Sequence, residues 1–366
     1  MDPHGPIAQR FPLVARFRPA CLPLPERVQS LITLAETAAH QADQGLASAV
    51  FNQSALIASD VDLPDLAREM CRQHADAYLH RCPLPAMSAI RGLEPLVNLA
   101  RLQIRAGHGD DGRSHLLALF DAVSSGRSVR LDNITVPADL TRTAEDRQEV
   151  RAWLWRVLLA DGTRTLTTEG RWIEALAHIE EHHGIGNRML DGRQVAVIAA
   201  LVSNDSDRAA DLLKSTAPGD PWEQTVTDCL TALCQRTVGK PTSPALEALT
   251  GMYANLQCDR GMTVFGTRLG LAILDLTGPA DGHLAHRIVD KLHQRTIALR
   301  DGYAARESLT HPLFSRLATE RQEQHCRDLI TACALGVGSL PTELHDGLTV
   351  ALRTSEYTIR KSLIWS

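Results

Sequence analysis

Residues 169–216, EGRWIEALAHIEEHHGIGNRMLDGRQVAVIAALVSNDSDRAADLLKST, constrain the fold more than any other stretch. From Trp172 the apolar positions are Trp172, Ile173, Leu176 and Ile179, with Ala175 beside them, a spacing near 3.6 that makes one helical stripe. Gly184 and Gly186 read as the stop, because glycine enters positive φ without steric cost. Asp191 and Gly192 open a second helix carrying Val195, Ile198, Ala199 and Val202. The run SNDSD at 203–207 supplies turn and N-cap side chains, and a third helix packs with Ala209, Ala210, Leu212 and Leu213. Helices with a single apolar stripe must bury it against one another.

The rest of the chain repeats this theme. Helices are expected at 25–43, 47–59, 63–79, 86–105, 112–123, 145–159, 222–234, 245–256, 264–276, 284–299, 316–335 and 342–364. Pro64 suits the first turn of its helix, where the missing N–H costs nothing. Residues 1–24 hold five prolines and no period, and read as an irregular arm. Residues 124–144 are polar, contain Gly126 and Pro137, and read as an insertion or linker; the alternation in VRLDNITV allows a short strand or an extended loop. The expected organisation is an arm (1–24), an N-terminal helical-hairpin half (25–123), the linker (124–144) and a C-terminal helical-repeat half (145–366). The fold class is all-α. Consecutive hairpins stacked in a superhelix are expected, with an α/α toroid as the alternative.

Composition narrows function by exclusion. A net charge of −5 and a pI near 6.3 lack the broad basic surface of a nucleic-acid binder. No apolar run approaches the length of a membrane span, and the N-terminus lacks a signal-peptide apolar core, so a cytoplasmic protein is expected. The eight cysteines form no C-x-x-C pair and fall mostly within helical runs such as DCLTALC, as reduced, buried side chains do. Only Lys214, Lys240, Lys291 and Lys361 are lysines among the 38 basic residues, a bias of the kind a GC-rich genome produces.

Ala175 and Ala209 are 34 positions apart, the period of a tetratricopeptide hairpin. Asn98-Leu99-Ala100, followed by Arg101, Arg105, Ala106 and Gly107, resembles the first helix and turn of that repeat, and GRWIEALAHIE its turn and second helix. In that family the asparagine of the first helix faces the groove and holds a bound peptide, a role the resemblance assigns to Asn98 and, in the preceding hairpin, to Asn52. Gly112 departs from the pattern where a packing alanine is expected, and aliphatic residues fill most of the aromatic signature positions. The segments FNQSALIASD, LVNLARLQIRAG and DGRQVAVIAAL are also similar to actinobacterial proteins that accompany class V lanthipeptide genes. That likeness implies a precursor peptide as partner, a place among other biosynthetic proteins, and an assisting or direct role in thioether ring closure.

Three sets of side chains are candidates for chemistry. His178-Ile179-Glu180-Glu181-His182 is formally H-x-x-E-H, which sets His178 and His182 one turn apart as metal candidates, with Glu247 as a distant third ligand. The ordinary alternative is a helix end with histidines at its negative dipole terminus. A zinc-dependent lanthionine enzyme needs a Cys-His-Gly element, and residues 182–184 are His-His-Gly. Ring closure would therefore be metal-free, with His182, His183 or Asp191 as general base and Arg193 facing the developing enolate. Asn52, Asn98, Arg101, Arg105, Arg188, Arg193, Trp222 and Arg268 are the candidate peptide contacts, the arginines through paired N–H donors. The expected function is a peptide- or protein-binding helical-repeat module without cofactor. The alternatives are a cyclase or its obligatory subunit and a peptide-sensing regulator.

Overall fold

The computed structural model describes residues 1–278 and 282–364. In chain order the elements begin with α1 (Pro6–Arg10), α2 (Leu24–Gln41), α3 (Gln44–Asp60), α4 (Pro64–Leu79), α5 (Ala86–Arg105) and α6 (Gly109–Ser125). Strands β1 (Val129–Leu131) and β2 (Ile134–Val136) precede α7 (Ala144–Val157), a π-helical turn (Leu158–Gly162) and α8 (Thr163–Thr168). Then follow α9 (Trp172–Glu181), α10 (Asp191–Val202), α11 (Ser206–Lys214), α12 (Pro221–Thr237), α13 (Ser243–Asn255) and, after a 3₁₀ turn, α14 (Thr263–Thr277). The last are α15 (Gly282–Leu299), α16 (Gly302–Leu309), α17 (Pro312–Leu317), α18 (Glu320–Ala332) and α19 (Thr342–Ser362). The fold is all-α; among the described residues the sheet is a single two-stranded hairpin, and no helix is long and apolar enough to cross a membrane.

Two compact units divide the chain: Met1–Leu22 with Leu166–Cys333, and Pro23–Thr165 with Ala334–Ser366. This division differs from one placed at 124–144. That segment lies inside the second unit because its side chains are needed there. Asp132 and Asn133 both take positive φ, the two-residue turn that matches strand twist, so VRLDNITV closes into the β1–β2 hairpin. Val136 and Leu140 enter the core, and Leu84 bonds to Leu140 O and Arg142 N across a short bridge. The first 22 residues are irregular apart from α1, and they belong to the other unit.

In the second unit each helix from α2 to α7 packs on the next, α3 and α5 also touch, as do α5 and α7, and α19 covers α2, α3 and α4. The contacts are made by small side chains. Ala47, Ala58, Ala67, Ala75, Ala77, Ala89 and Ala100 are fully buried among Leu93, Leu96 and Leu119. Gly112 explains its own departure from the repeat pattern: a Cβ there would lie 2.8 Å from the Ala100 carbonyl oxygen and 2.6 Å from Ile104 Cγ1. Only glycine lets α6 approach α5 this closely.

In the first unit, α9, α10 and α11 pack in sequence as expected, with Ala175 and Ala209 fully buried. The single helix expected over 316–335 is instead α17 and α18, preceded by α16. His311 caps α17 by accepting the Phe314 N–H, and a Thr319–Gln322 capping box starts α18. Six of the eight cysteines are buried, and burial pushes the Cys71 and Cys229 thiols up to about 12, which keeps them protonated and inert at neutral pH.

Two predictions follow from this packing. Gly112→Ala, which in a free helix would stabilise, should instead cost about 1–3 kcal/mol in a denaturant titration because the Ala100 backbone cannot yield cheaply. His74 is fully buried, stacked on Phe51 with ring centroids 4.9 Å apart, and burial lowers its pKa to about 3. Its neutral form belongs to the folded state, so its contribution is present above pH 6.5 and is lost as pH falls toward 3. Between pH 7 and pH 4 that loss is roughly 3 kcal/mol, and His74→Leu should flatten the corresponding part of a stability–pH curve.

Candidate functional site

Four of the residues singled out in the sequence come together in the second unit. The α5 positions Ser88, Arg91, Glu94, Asn98, Arg101 and Arg105 follow one another at intervals of three or four and form one polar stripe, while the other positions between Ser88 and Arg101 are buried and apolar. Asn52 of α3 stands opposite. Its amide donates to Glu94 Oε2 at 2.6 Å, and its Oδ1 accepts from Asn98 Nδ2 at 2.9 Å. Asn98 Oδ1 in turn accepts from Arg101 at 3.1 Å, and Arg101 pairs with Asp161 through two N–H groups at 2.7 and 3.1 Å. One turn further on, Arg105 donates to Ser59 Oγ at 2.7 Å, beside the buried Arg27–Asp60 pair.

The electrostatics of this face are balanced but not closed. Burial raises the Glu94 carboxyl above its ordinary range, offset by the Asn52 hydrogen bond and by the charges of Arg91 and Arg101. The side chains of Arg101 and Arg105 remain 45% and 40% exposed. Asp161 sits in the π-helical turn, the local widening that turns its carboxylate to Arg101; such turns recur at functional sites. Asn52, Asn98, Arg101 and Arg105 were visible in the sequence. Glu94 and Arg91 were missed, although counting back from Asn98 in steps of three and four reaches both. Asp161 carried no local signal, being 60 residues from its partner Arg101.

The histidine segment lies in the first unit. His178 is buried, His182 donates through Nδ1–H to the His178 carbonyl at 2.9 Å, and the two ring centroids are 4.7 Å apart. Glu247 is an exposed residue of α13, and among the described residues no group of three metal-ligating side chains occurs. The glycine stop resolves differently from expectation. His183, not Gly184 or Gly186, takes the positive φ of 51°, and the bonds Gly184 N to Ile179 O and His183 N to Glu180 O complete a Schellman C-cap. The position that close packing confines to glycine here is Gly192, where a Cβ would collide with the Gly184 carbonyl.

The remaining candidates in this unit have internal partners. Asp191 pairs with Arg16 at 2.6 Å. Arg193 is buried, and its guanidinium bonds Thr216 Oγ1, Ser215 Oγ and the carbonyls of Gly186 and Leu212, which ties the loop after α9 to the end of α11. Arg188 bonds Asp220 at 2.9 Å and both Glu223 oxygens, beside the capping box of α12. Trp222 stands edge-on to Phe265 at 5.6 Å, and Arg268 makes a two-pronged pair with Glu307. Comparison with family models, with curated proteins and with solved structures found no match.

A test separates a capping from a catalytic His183. If the residue only occupies the left-handed cap position, His183→Gly should raise stability by roughly 0.5–1 kcal/mol in thermal or denaturant unfolding. A loss of stability would show that the imidazole makes a contact the helix end depends on.

Proposed function

We propose that the second unit binds a peptide segment along the polar face of α3 and α5, as a non-catalytic module that presents a precursor peptide to the enzymes modifying it. The observation that carries this reading is the stripe from Ser88 to Arg105, met by Asn52 across the helix pair. Asn98 gives one amide hydrogen to Asn52 and accepts one from Arg101. Its second amide hydrogen and the remaining lone pair of its oxygen match the C=O and N–H that a peptide backbone offers. The Arg101–Asp161 pair is partly solvated, so exchanging Asp161 for a carboxylate of the peptide costs little. The likeness of the NLA segment to a tetratricopeptide first helix supports the same face, and the likeness to lanthipeptide-associated proteins supports a precursor peptide as its occupant.

The test is isothermal titration of the full chain with synthetic peptides encoded beside its gene. Asn98→Ala with Arg101→Ala should weaken binding about 10- to 100-fold, the loss of one or two charge-assisted hydrogen bonds, while the melting temperature stays near that of the parent. Unchanged affinity in that double variant would reject the face.

A further inference from the structure

The first unit holds part of its own chain in the way a peptide receptor holds a ligand. Between Phe11 and Pro23 the backbone forms no helix or strand, and Gln194 of α10 supplies both main-chain bonds of Leu13. The Leu13 N–H donates to Gln194 Oε1 at 2.6 Å, and Gln194 Nε2 donates to Leu13 O at 2.8 Å. A side-chain amide thus plays the part of a neighbouring β-strand, a mode of recognition that reads backbone, not side chain. Gln194 is 0% exposed, so its amide must be bonded to something, and its Nε2 also donates to Met189 O.

Specificity is supplied on either side of this bond pair. Three residues before Leu13, Arg10 pairs with Asp275 of α14 at 2.9 Å; three residues after it, Arg16 pairs with Asp191 at 2.6 Å. Burial works against the Asp275 carboxylate, but the hydrogen bonds and charges of His311 and Arg10 outweigh it and hold its pKa below the ordinary range. It therefore stays anionic at neutral pH, ready for a cation. Phe11 and Leu13 fill apolar space at 2% exposure each, while Arg16 and Phe17 face outward.

We propose that this groove is a peptide-binding site which the chain fills in cis. Its ligand in trans is a protein segment of the same chemistry: an extended backbone, a buried aliphatic residue, and an arginine three positions to each side. The site uses none of the residues of the α3–α5 face, so its success or failure is separate from that reading.

Two experiments on the full chain decide it. The first is amide hydrogen exchange of the parent protein, read by mass spectrometry. If the groove exchanges its occupant, amides of residues 11–16 should exchange at least ten times faster than those of residues 195–201 in the middle of α10. Exchange of both segments in one cooperative opening would make the arm a permanent part of the core and overturn the proposal. The second uses a fluorescein-labelled peptide of residues 8–20, AQRFPLVARFRPA, and fluorescence polarisation. Arg10→Glu with Arg16→Glu should repel the tethered arm and bind the labelled peptide at least tenfold tighter than the parent, and adding Gln194→Ala should abolish the gain. Absence of binding by the charge-reversed chain with a native melting curve would overturn the proposal. So would a dimer of the parent chain that these charge reversals dissolve, since the groove's partner would then be the arm of a second copy. Should the charge-reversed chain fail to fold, the exchange experiment alone retains the power to reject.

Discussion

Close approach of helix backbones is the constraint on which the rest of this chain depends. Aromatic residues make up only 4% of the sequence, so its interfaces are filled by alanine and leucine instead of large rings. Thin side chains bring helices near enough that single atoms matter: Gly112 sits under the Ala100 carbonyl, and a Cβ at Gly92 would lie 2.9 Å from Tyr78 Cβ. Tight packing of this kind fixes the rotation of each helix about its axis, because turning one would drive a Cβ into a backbone. Fixed rotation is what aligns the polar stripe of α5 with Asn52 of α3.

Polar groups confined between closely packed helices are costly unless they are bonded, and each unit ties one such set of side chains to the chain's own groups. In the second unit the bonds run from Glu94 through Asn52, Asn98 and Arg101 to Asp161. In the first, Gln194 is bonded to the backbone of Leu13, and Arg193 to the loop after α9 and the end of α11. The two arrangements differ in exposure. Arg101 retains contact with solvent, whereas Gln194 is buried and its amide is bonded to main-chain groups of Leu13 and Met189.

The helical hairpins were legible because their signals are local: a 3.6-residue apolar period, joined by proline at the first turn in α4 and α12 and by polar caps at α7 and α11. Ala86–Arg105 was read to the residue, and α9, α10 and α11 to within a few. The readings that changed turned on backbone geometry. Glycine at 184 suggested a left-handed stop, but the Schellman bonds count residues from the last helical turn and place His183 there, while the glycine that packing demands is Gly192, which passes close to the Gly184 carbonyl. Residues 124–144 read as an insertion or linker because they are mostly polar; the alternation of Val129, Leu131, Ile134 and Val136 allowed a strand but did not reveal that Val136 and Leu140 belong to a core.

By itself the sequence determined the all-α class, most helix boundaries, and four members of the polar face, since propensity, period and capping act over a few residues. Tertiary structure alone decided which segments form each compact unit and which side chains meet. Leu13 and Gln194 are 181 positions apart, and Arg10 and Asp275 are 265 apart. No local pattern encodes such pairs, because their bonds form only after the helices that carry them have packed and excluded water from between them.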